Sequence, residues 1–69
     1  MKYTMVTYDY EENSPICVDR FTANDHADAY LKARALFSEV RHLYYYATVY
    51  FNGISCENAL FTINDNDFA

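Results

Sequence analysis

One helical stretch lies between two pairs of strand-like segments, and this order limits the folds open to the chain. Residues 26–42 carry apolar side chains at helical spacing. The predicted stripe consists of Ala29, Ala33, Leu36, Phe37 and Val40. A single helix can cover only one face of a sheet. The sequence therefore predicts an α+β fold, a β-β-α-β-β two-layer sandwich whose sheet has one helix-free face.

The predicted helix has a start signal and an end signal. Asp25 can accept a hydrogen bond as the N-cap residue, and Asp28 follows it at the spacing of a capping box. Asp28 and Lys32 form an i,i+4 pair in the favourable order. Arg41 and His42 lie where cations suit the helix dipole. We therefore expect the helix to run from about residue 26 to about residue 42.

Four segments rich in β-branched and aromatic residues predict the strands of an antiparallel sheet. The predicted strands are residues 2–10, 16–23, 43–51 and 54–63. Short connections favour the strand order 2-1-3-4. A chain of 69 residues with one Gly and one Pro leaves little room for a linker, so residues 1–69 are expected to form one domain. Residues 64–69 are expected to be a frayed acidic tail.

The first hairpin has two possible phases. Met5 and Thr7 compete with Val6 and Tyr8 for the core face, so either Tyr3 or Tyr8 is expected on the helix-free face. In the second strand, two sets of residues that cannot share one face both suit the core, and a β-bulge between them would reconcile this. Its competing core candidates are Ile16 and Val18 against Phe21 and Ala23.

The second hairpin carries a stronger turn signal. Asn52-Gly53 predicts a two-residue type I′ turn that pairs Phe51 with Ile54 and Val49 with Cys56. The predicted core face contains Tyr45, Ala47, Val49, Phe51, Ile54, Cys56 and Leu60. The predicted helix-free face contains Tyr44, Tyr46, Thr48, Tyr50, Ser55, Glu57, Ala59 and Phe61.

The aromatic residues of the helix-free face are candidate partner-binding residues. They are Tyr44, Tyr46, Tyr50 and Phe61. Contiguous exposed aromatic patches mark interfaces, and Tyr is enriched at interface hot spots. The alternative is structural, because a tyrosine on a half-exposed strand buries its ring and leaves its hydroxyl in water.

The negative charge of the chain has a predicted location. The formal net charge is −5, and the span from Asp25 to His42 is neutral, so the excess lies in the sheet, the loops and the tail. The topology brings Asp9, Glu11, Glu12, Asp65 and Asp67 to one end of the molecule. Together with Glu57 these acids are further candidate contacts to a basic protein surface. Solvation of loops and tail is the other interpretation.

Residue patterns typical of catalysis or metal binding are missing. His26 and His42 lie at opposite ends of the helix without ligand spacing, and no phosphate loop or nucleophile motif is present. We therefore predict that the chain is not an enzyme and takes no cofactor or metal. Cys17 and Cys56 are expected to be reduced thiols unless their strands are neighbours. No apolar run approaches a membrane span, so a cytoplasmic location without membrane contact is expected.

One local pattern resembles a known group of proteins. Ala23, Asp25, Asp28, Ala29 and Ala33 mark the point where a strand ends and a helix begins on an antiparallel sheet. This arrangement resembles small phage-encoded inhibitors, among them an inhibitor of bacterial RNA polymerase and anti-CRISPR proteins. The resemblance implies a compact, acidic, non-catalytic protein that blocks a nucleic-acid-handling machine in the cytoplasm of a bacterial host.

The functional hypothesis is therefore an acidic protein-binding inhibitor of a bacterial host or CRISPR-type defence protein. A self-associating structural or antitoxin-like protein would use the same aromatic face for a homodimer. A module that stacks single-stranded nucleic acid on the tyrosines is a third class, which the negative charge opposes.

Overall fold

The computed structural model describes residues 1–9, 15–41 and 44–68, and the side chains of these residues other than 15, 16, 44, 45 and 56. Its regular elements are strands β1 (Lys2–Asp9), β2 (Pro15–Thr22), β3 (Tyr44–Phe51) and β4 (Ala59–Asn64), helix α1 (His26–Ser38), and 3-10 helices Cys56–Asn58 and Asp65–Phe68. The strands form one antiparallel sheet in the order β2-β1-β3-β4. The predicted α+β class, element order and strand order are confirmed.

The hydrophobic core lies between α1 and one face of the sheet. Ala29 and Ala33 are completely buried, and their small side chains allow the first turns of the helix to approach the sheet closely. Phe37, also completely buried, fills the wider space at the other end. Opposite the helix, Met5 on β1 and Val49 on β3 are paired and buried.

The predicted N-terminal cap of α1 is confirmed. The Asp25 carboxylate accepts a hydrogen bond from the Asp28 N–H at 2.8 Å, and the Asp28 carboxylate accepts one from the Asn24 N–H at 3.0 Å. The Asn24 N–H lowers the pKa of Asp28, and the ammonium group of Lys32, 3.5 Å away, adds to this effect. Lys32 also donates to the Thr22 carbonyl at 2.9 Å, which ties the helix to the end of β2.

The helix ends earlier than the sequence predicts. Ser38 is its last residue, and the Ser38 hydroxyl donates to the Ala35 carbonyl at 2.7 Å, a local bond that competes with further helical pairing. Val40 still packs against the core from the following turn. Leu36 was expected in the buried stripe but is 36% exposed. The predicted helix end at His42 lies outside the described residues.

The prediction of a two-residue type I′ turn at Asn52-Gly53 is wrong. Asn52 has a positive φ of 68° but Gly53 does not, so the type I′ geometry is not formed. The Asn52 N–H donates instead to the Lys2 carbonyl at 2.9 Å, which extends the pairing with β1. The chain then passes through the 3-10 helix before β4 begins at Ala59.

The longer connection changes the register of the last strand. Val49 pairs with Phe61 and not with Cys56, a shift of five residues (61 − 56 = 5). Tyr50 pairs with Ala59, so Leu60 is an extra residue on β4. From Phe61 onwards the shift by an odd number moves the side chains to the opposite face. Phe61 and Ile63 therefore lie on the helix side, whereas Ile54, predicted for the core, is 53% exposed.

The first hairpin adopts the phase that buries Met5 and Thr7 on the helix side. β2 has a bulge, but not between Val18 and Phe21, where it would reconcile the two sets of core candidates. Thr7 pairs with Cys17 and Tyr8 with Pro15, which leaves Ile16 as the extra residue. The bulge does not bring Val18 into the core, and Val18 is 46% exposed.

The segment after β4 is ordered, in contrast to the expected frayed tail. Asp65–Phe68 form a 3-10 helix, and the Phe68 ring stacks on Phe37 with 6.2 Å between centroids. The guanidinium groups of Arg34 and Arg41 lie 4.9 and 4.6 Å from the centre of the Phe68 ring. Only Ala69 of the predicted tail lies outside the described residues.

We expect Asp25→Ala to lower the free energy of unfolding by about 1 kcal/mol, because the first turn of α1 loses its cap. Urea denaturation followed by circular dichroism measures this change. Asp19→Ala removes the same charge from an exposed strand position and is the matched control. Equal destabilisation by both substitutions would contradict a specific role of the cap.

We expect Phe68→Ala to lower the free energy of unfolding by about 1–3 kcal/mol, since the ring contacts Phe37 and two guanidinium groups. Leu31→Ala, at a position that is 60% exposed, should change stability by about 0.5 kcal/mol or less. Thermal and urea unfolding of both variants test the packing of this segment. A Phe68→Ala protein as stable as the Leu31→Ala protein would show that the segment contributes nothing.

Candidate partner-binding face

The pairing of β1 with β3 brings three tyrosines together on the helix-free face. Tyr8 is opposite Tyr46, and Thr4 is opposite Tyr50. These strands occupy the middle of the sheet, so the residues lie at the centre of the face and not at its edges. We call Tyr8, Tyr46 and Tyr50 the tyrosine cluster. The register thus settles the choice left open by the sequence, since Tyr8 joins this face and Tyr3 lies in the core.

Direct contacts hold the tyrosine cluster in place. The rings of Tyr8 and Tyr46 are stacked, with 4.6 Å between centroids and 11° between planes. A hydrogen bond with the Tyr50 side chain raises the pKa of Tyr8, and partial burial adds to the rise. All three side chains are half-buried, so each presents part of its surface to solvent.

The surface around the tyrosine cluster is mostly uncharged. Val6 is only 3% exposed although it lies on the helix-free face, because Val18 and Thr48 flank it on the neighbouring strands. Thr62 follows Thr48 across the sheet. The centre of the face is therefore built from Tyr, Thr and Val side chains, which give a firm surface with hydroxyl groups available for hydrogen bonds.

Two predicted members of the face are not placed there. Phe61 lies on the helix side, and its ring meets Tyr30 of α1 edge-on with 5.4 Å between centroids. Glu57 is exposed in the 3-10 helix before β4 and is not part of a strand. Both differences follow from the longer β3–β4 connection. Tyr44 pairs with Asp9 through its backbone, and its side chain lies outside the described residues.

The predicted acidic end is present in part. Tyr8, Tyr46 and Asn64 lie side by side, so Asp9 and Asp65, the residues that follow Tyr8 and Asn64, share one end of the sheet. Glu11 and Glu12 lie outside the described residues.

Asp67 is used inside the molecule. Its carboxylate accepts hydrogen bonds from the Tyr30 hydroxyl at 3.0 Å and the Asn64 N–H at 2.9 Å. The bond with Asp67 raises the pKa of Tyr30. Arg34 also donates to the Asp67 carbonyl at 3.1 Å. We therefore remove Asp67 from the residues expected to meet a partner directly.

The side chains of His26 and Tyr3 contact each other and have a structural role. His26 Nδ1 lies 2.9 Å from the Tyr3 hydroxyl oxygen, and its ring meets the rings of Tyr3 and Phe51 edge-on. Burial raises the pKa of Tyr3, with smaller contributions from Asp25 and Asp28. Within residues 1–9, 15–41 and 44–68, no three His, Cys, Asp or Glu side chains are grouped to hold a metal ion. None of the helices in this part of the chain is long and apolar enough to span a membrane.

The strand order also shows whether Cys17 and Cys56 lie on neighbouring strands. Cys17 lies on β2 and Cys56 directly precedes β4, and these strands occupy opposite edges of the sheet. The condition for a disulfide, two neighbouring strands, is not met.

Comparison with protein-family models, with curated proteins and with solved structures gives no match. We therefore infer the function from the geometry and charge of this chain alone.

We expect Tyr50→Phe to lower the pKa of Tyr8 towards its ordinary value, because the hydrogen bond with Tyr50 is the largest cause of the rise. Proton NMR of the tyrosine rings as a function of pH measures this pKa. Tyr30→Phe removes a hydroxyl on the helix side and should leave Tyr8 unchanged.

The same shift predicts a loss of stability in alkali. The folded-state pKa of Tyr8 lies above its ordinary value of 10.0, so its contribution is fully present below pH 10 and is lost as the pH rises through the folded-state pKa. Tyr50→Phe should weaken this pH dependence. An unchanged Tyr8 pKa in the Tyr50→Phe protein would contradict the hydrogen bond within the tyrosine cluster.

Proposed function

We propose that this protein is a non-catalytic inhibitor that binds a basic, nucleic-acid-handling bacterial protein through its helix-free face. The observation that carries the proposal is the tyrosine cluster at the centre of that face. Rings held by mutual stacking lose little side-chain freedom on binding, and this favours tyrosine as an interface anchor. Burial of such anchors in a partner gives large contributions to affinity.

The charge distribution supports a basic partner. The chain has a net charge of −5, and Asp9 and Asp65 lie at the end of the sheet next to Tyr8 and Tyr46. Opposite charge on a partner speeds association and excludes competitors of the wrong sign. Proteins that handle nucleic acid carry basic surfaces for the phosphate backbone. The phage-type origin in this proposal comes from the resemblance of the Ala23–Ala33 junction to small phage inhibitors.

The tyrosine geometry argues against a nucleic-acid module. The rings of Tyr8 and Tyr46 stack on one another at 4.6 Å, so each has one face already occupied. Single-stranded nucleic acid is bound by aromatic faces left open for the bases and by a basic groove along the backbone. A chain of net charge −5 repels that backbone.

We expect the double substitution Tyr46→Ala/Tyr50→Ala to reduce recovery of the partner at least tenfold. The test is a pull-down from bacterial lysate with equal amounts of wild-type and variant protein. Loss of two anchor side chains removes the most ordered part of the contact surface. Leu31→Ala is the matched control, since Leu31 is a large exposed apolar residue on the helix. Circular dichroism checks that each variant is folded.

Equal recovery of the same protein by wild type and the double variant would overturn the proposal. Two further measurements address the other classes. Sedimentation velocity should show a monomer at high concentration, and a dimer that the double variant abolishes would support self-association through this face. A salt-dependent shift of nucleic acid by the purified protein would favour direct nucleic-acid binding.

A further inference from the structure

A groove lies at the end of the sheet opposite to the acidic end. Its volume is about 450 Å³, which is within the range of small-molecule sites, roughly 300–1,000 Å³. The residues that line it and enter the argument are Lys2, Thr4, Arg20, Phe21, Thr22 and Asn52. They come from β1, β2 and the residue after β3, so the sheet itself forms the site.

The groove brings two cations together. Lys2 pairs with Thr22 and Thr4 pairs with Arg20, so Lys2 and Arg20 are diagonal neighbours on adjacent strands. Both side chains are exposed, and within the described part of the chain neither makes a hydrogen bond or ion pair. Two like charges placed side by side repel each other unless an anion lies between them.

The other cations of the chain are already engaged. Lys32 contacts the carboxylate of Asp28, and Arg34 and Arg41 lie over the ring of Phe68. The chain has five Lys and Arg residues in total, so Lys2 and Arg20 are the two whose charge is available to a ligand.

The negative charge of the molecule does not cancel this local positive charge. Asp19 precedes Arg20 on β2, but it pairs with Met5 and therefore lies on the helix side of the sheet. On the strand next to it, Asp9 lies five residues beyond Thr4, roughly 17 Å at about 3.3 Å per residue. This separation exceeds the screening length of about 8 Å at physiological ionic strength. The carboxylates of Asp25 and Asp28 act on Tyr3 from the helix side, and both accept backbone hydrogen bonds there.

We propose that this groove binds a small phosphate monoester. A phosphate monoester carries nearly two negative charges at neutral pH, which matches one ammonium and one guanidinium group. Its three oxygens accept hydrogen bonds, and the Thr22 hydroxyl and the Asn52 amide supply neutral donors at the same groove. The groove is larger than a phosphate ion and leaves room for the body of the ligand.

The groove lies beside the tyrosine cluster on the helix-free face, because Thr4 is between Arg20 and Tyr50, and phosphate binding is therefore tested on the purified protein without a partner. AMP, ribose 5-phosphate and adenosine are titrated into ¹⁵N-labelled protein and followed by heteronuclear NMR. AMP is expected to shift the amide signals of residues 2–4, 20–22 and 52, whereas adenosine is expected to leave them unchanged. Ribose 5-phosphate separates recognition of the phosphate group from recognition of the adenine base.

Substitutions at the two cations complete the test. Arg20→Gln and Lys2→Gln should each weaken AMP binding about tenfold or more, because each removes a charge-assisted hydrogen bond. Arg41→Gln makes the same change in net charge at the opposite end of the sheet, beside Phe68, and should alter the affinity by less than about twofold.

Absence of AMP binding at millimolar concentration, equal shifts with adenosine, or an equal loss in Arg41→Gln would each overturn the proposal. The Tyr46→Ala/Tyr50→Ala protein should still bind AMP, so failure of the inhibitor proposal and failure of this one are distinguishable.

Discussion

The antiparallel pairing of β1 with β3 is the interaction on which the rest of the structure depends. These strands are the two central strands, and each supports one edge strand. Their register decides which side chains meet on each face of the sheet. On the helix side it joins Tyr3 with Phe51 and Met5 with Val49, and on the other side it joins Tyr8 with Tyr46. A slip of one residue would exchange the core for the solvent-facing surface.

The two faces of the sheet bury their apolar side chains in different ways. The helix side combines small residues such as Ala33 with large rings such as Phe37, so the two layers approach closely. The helix-free side has no second layer among the described residues, and tyrosine suits this position because its ring is half-buried while its hydroxyl can meet water. The same property supports the proposed contact with a protein, to which the acidic end beside Asp9 would give a preferred direction.

The cap of the helix, set by neighbouring residues, and the strand order, favoured by short connections, could be predicted from the sequence. The register of β4 is set by a distant residue and could not be predicted. The cap of α1 involves Asp25 and Asp28, three residues apart, and it forms as the pattern indicates. The Asn52-Gly53 turn has an equally strong local signal, but the Asn52 N–H is held by the Lys2 carbonyl of β1. This distant bond extends β3, delays the return of the chain and places Phe61 on the helix side. The alternation of side chains along β3 therefore placed Tyr46 and Tyr50 correctly on the helix-free face. The placement of Phe61 was wrong, because it depends on the register of β4.

The central position of β1 has a consequence for the order of folding. The β1–β2 hairpin, α1 and the β3–β4 hairpin are each made of residues close in sequence, so each can begin to form by itself. The sheet is complete only when β1 meets β3, and the contact between Thr4 and Asn52 spans 48 residues. Closing this loop carries the largest entropic cost of the fold, and it creates both the core and the tyrosine cluster. The tyrosine cluster is therefore present only in the fully folded protein, because no single hairpin contains both Tyr8 and Tyr46.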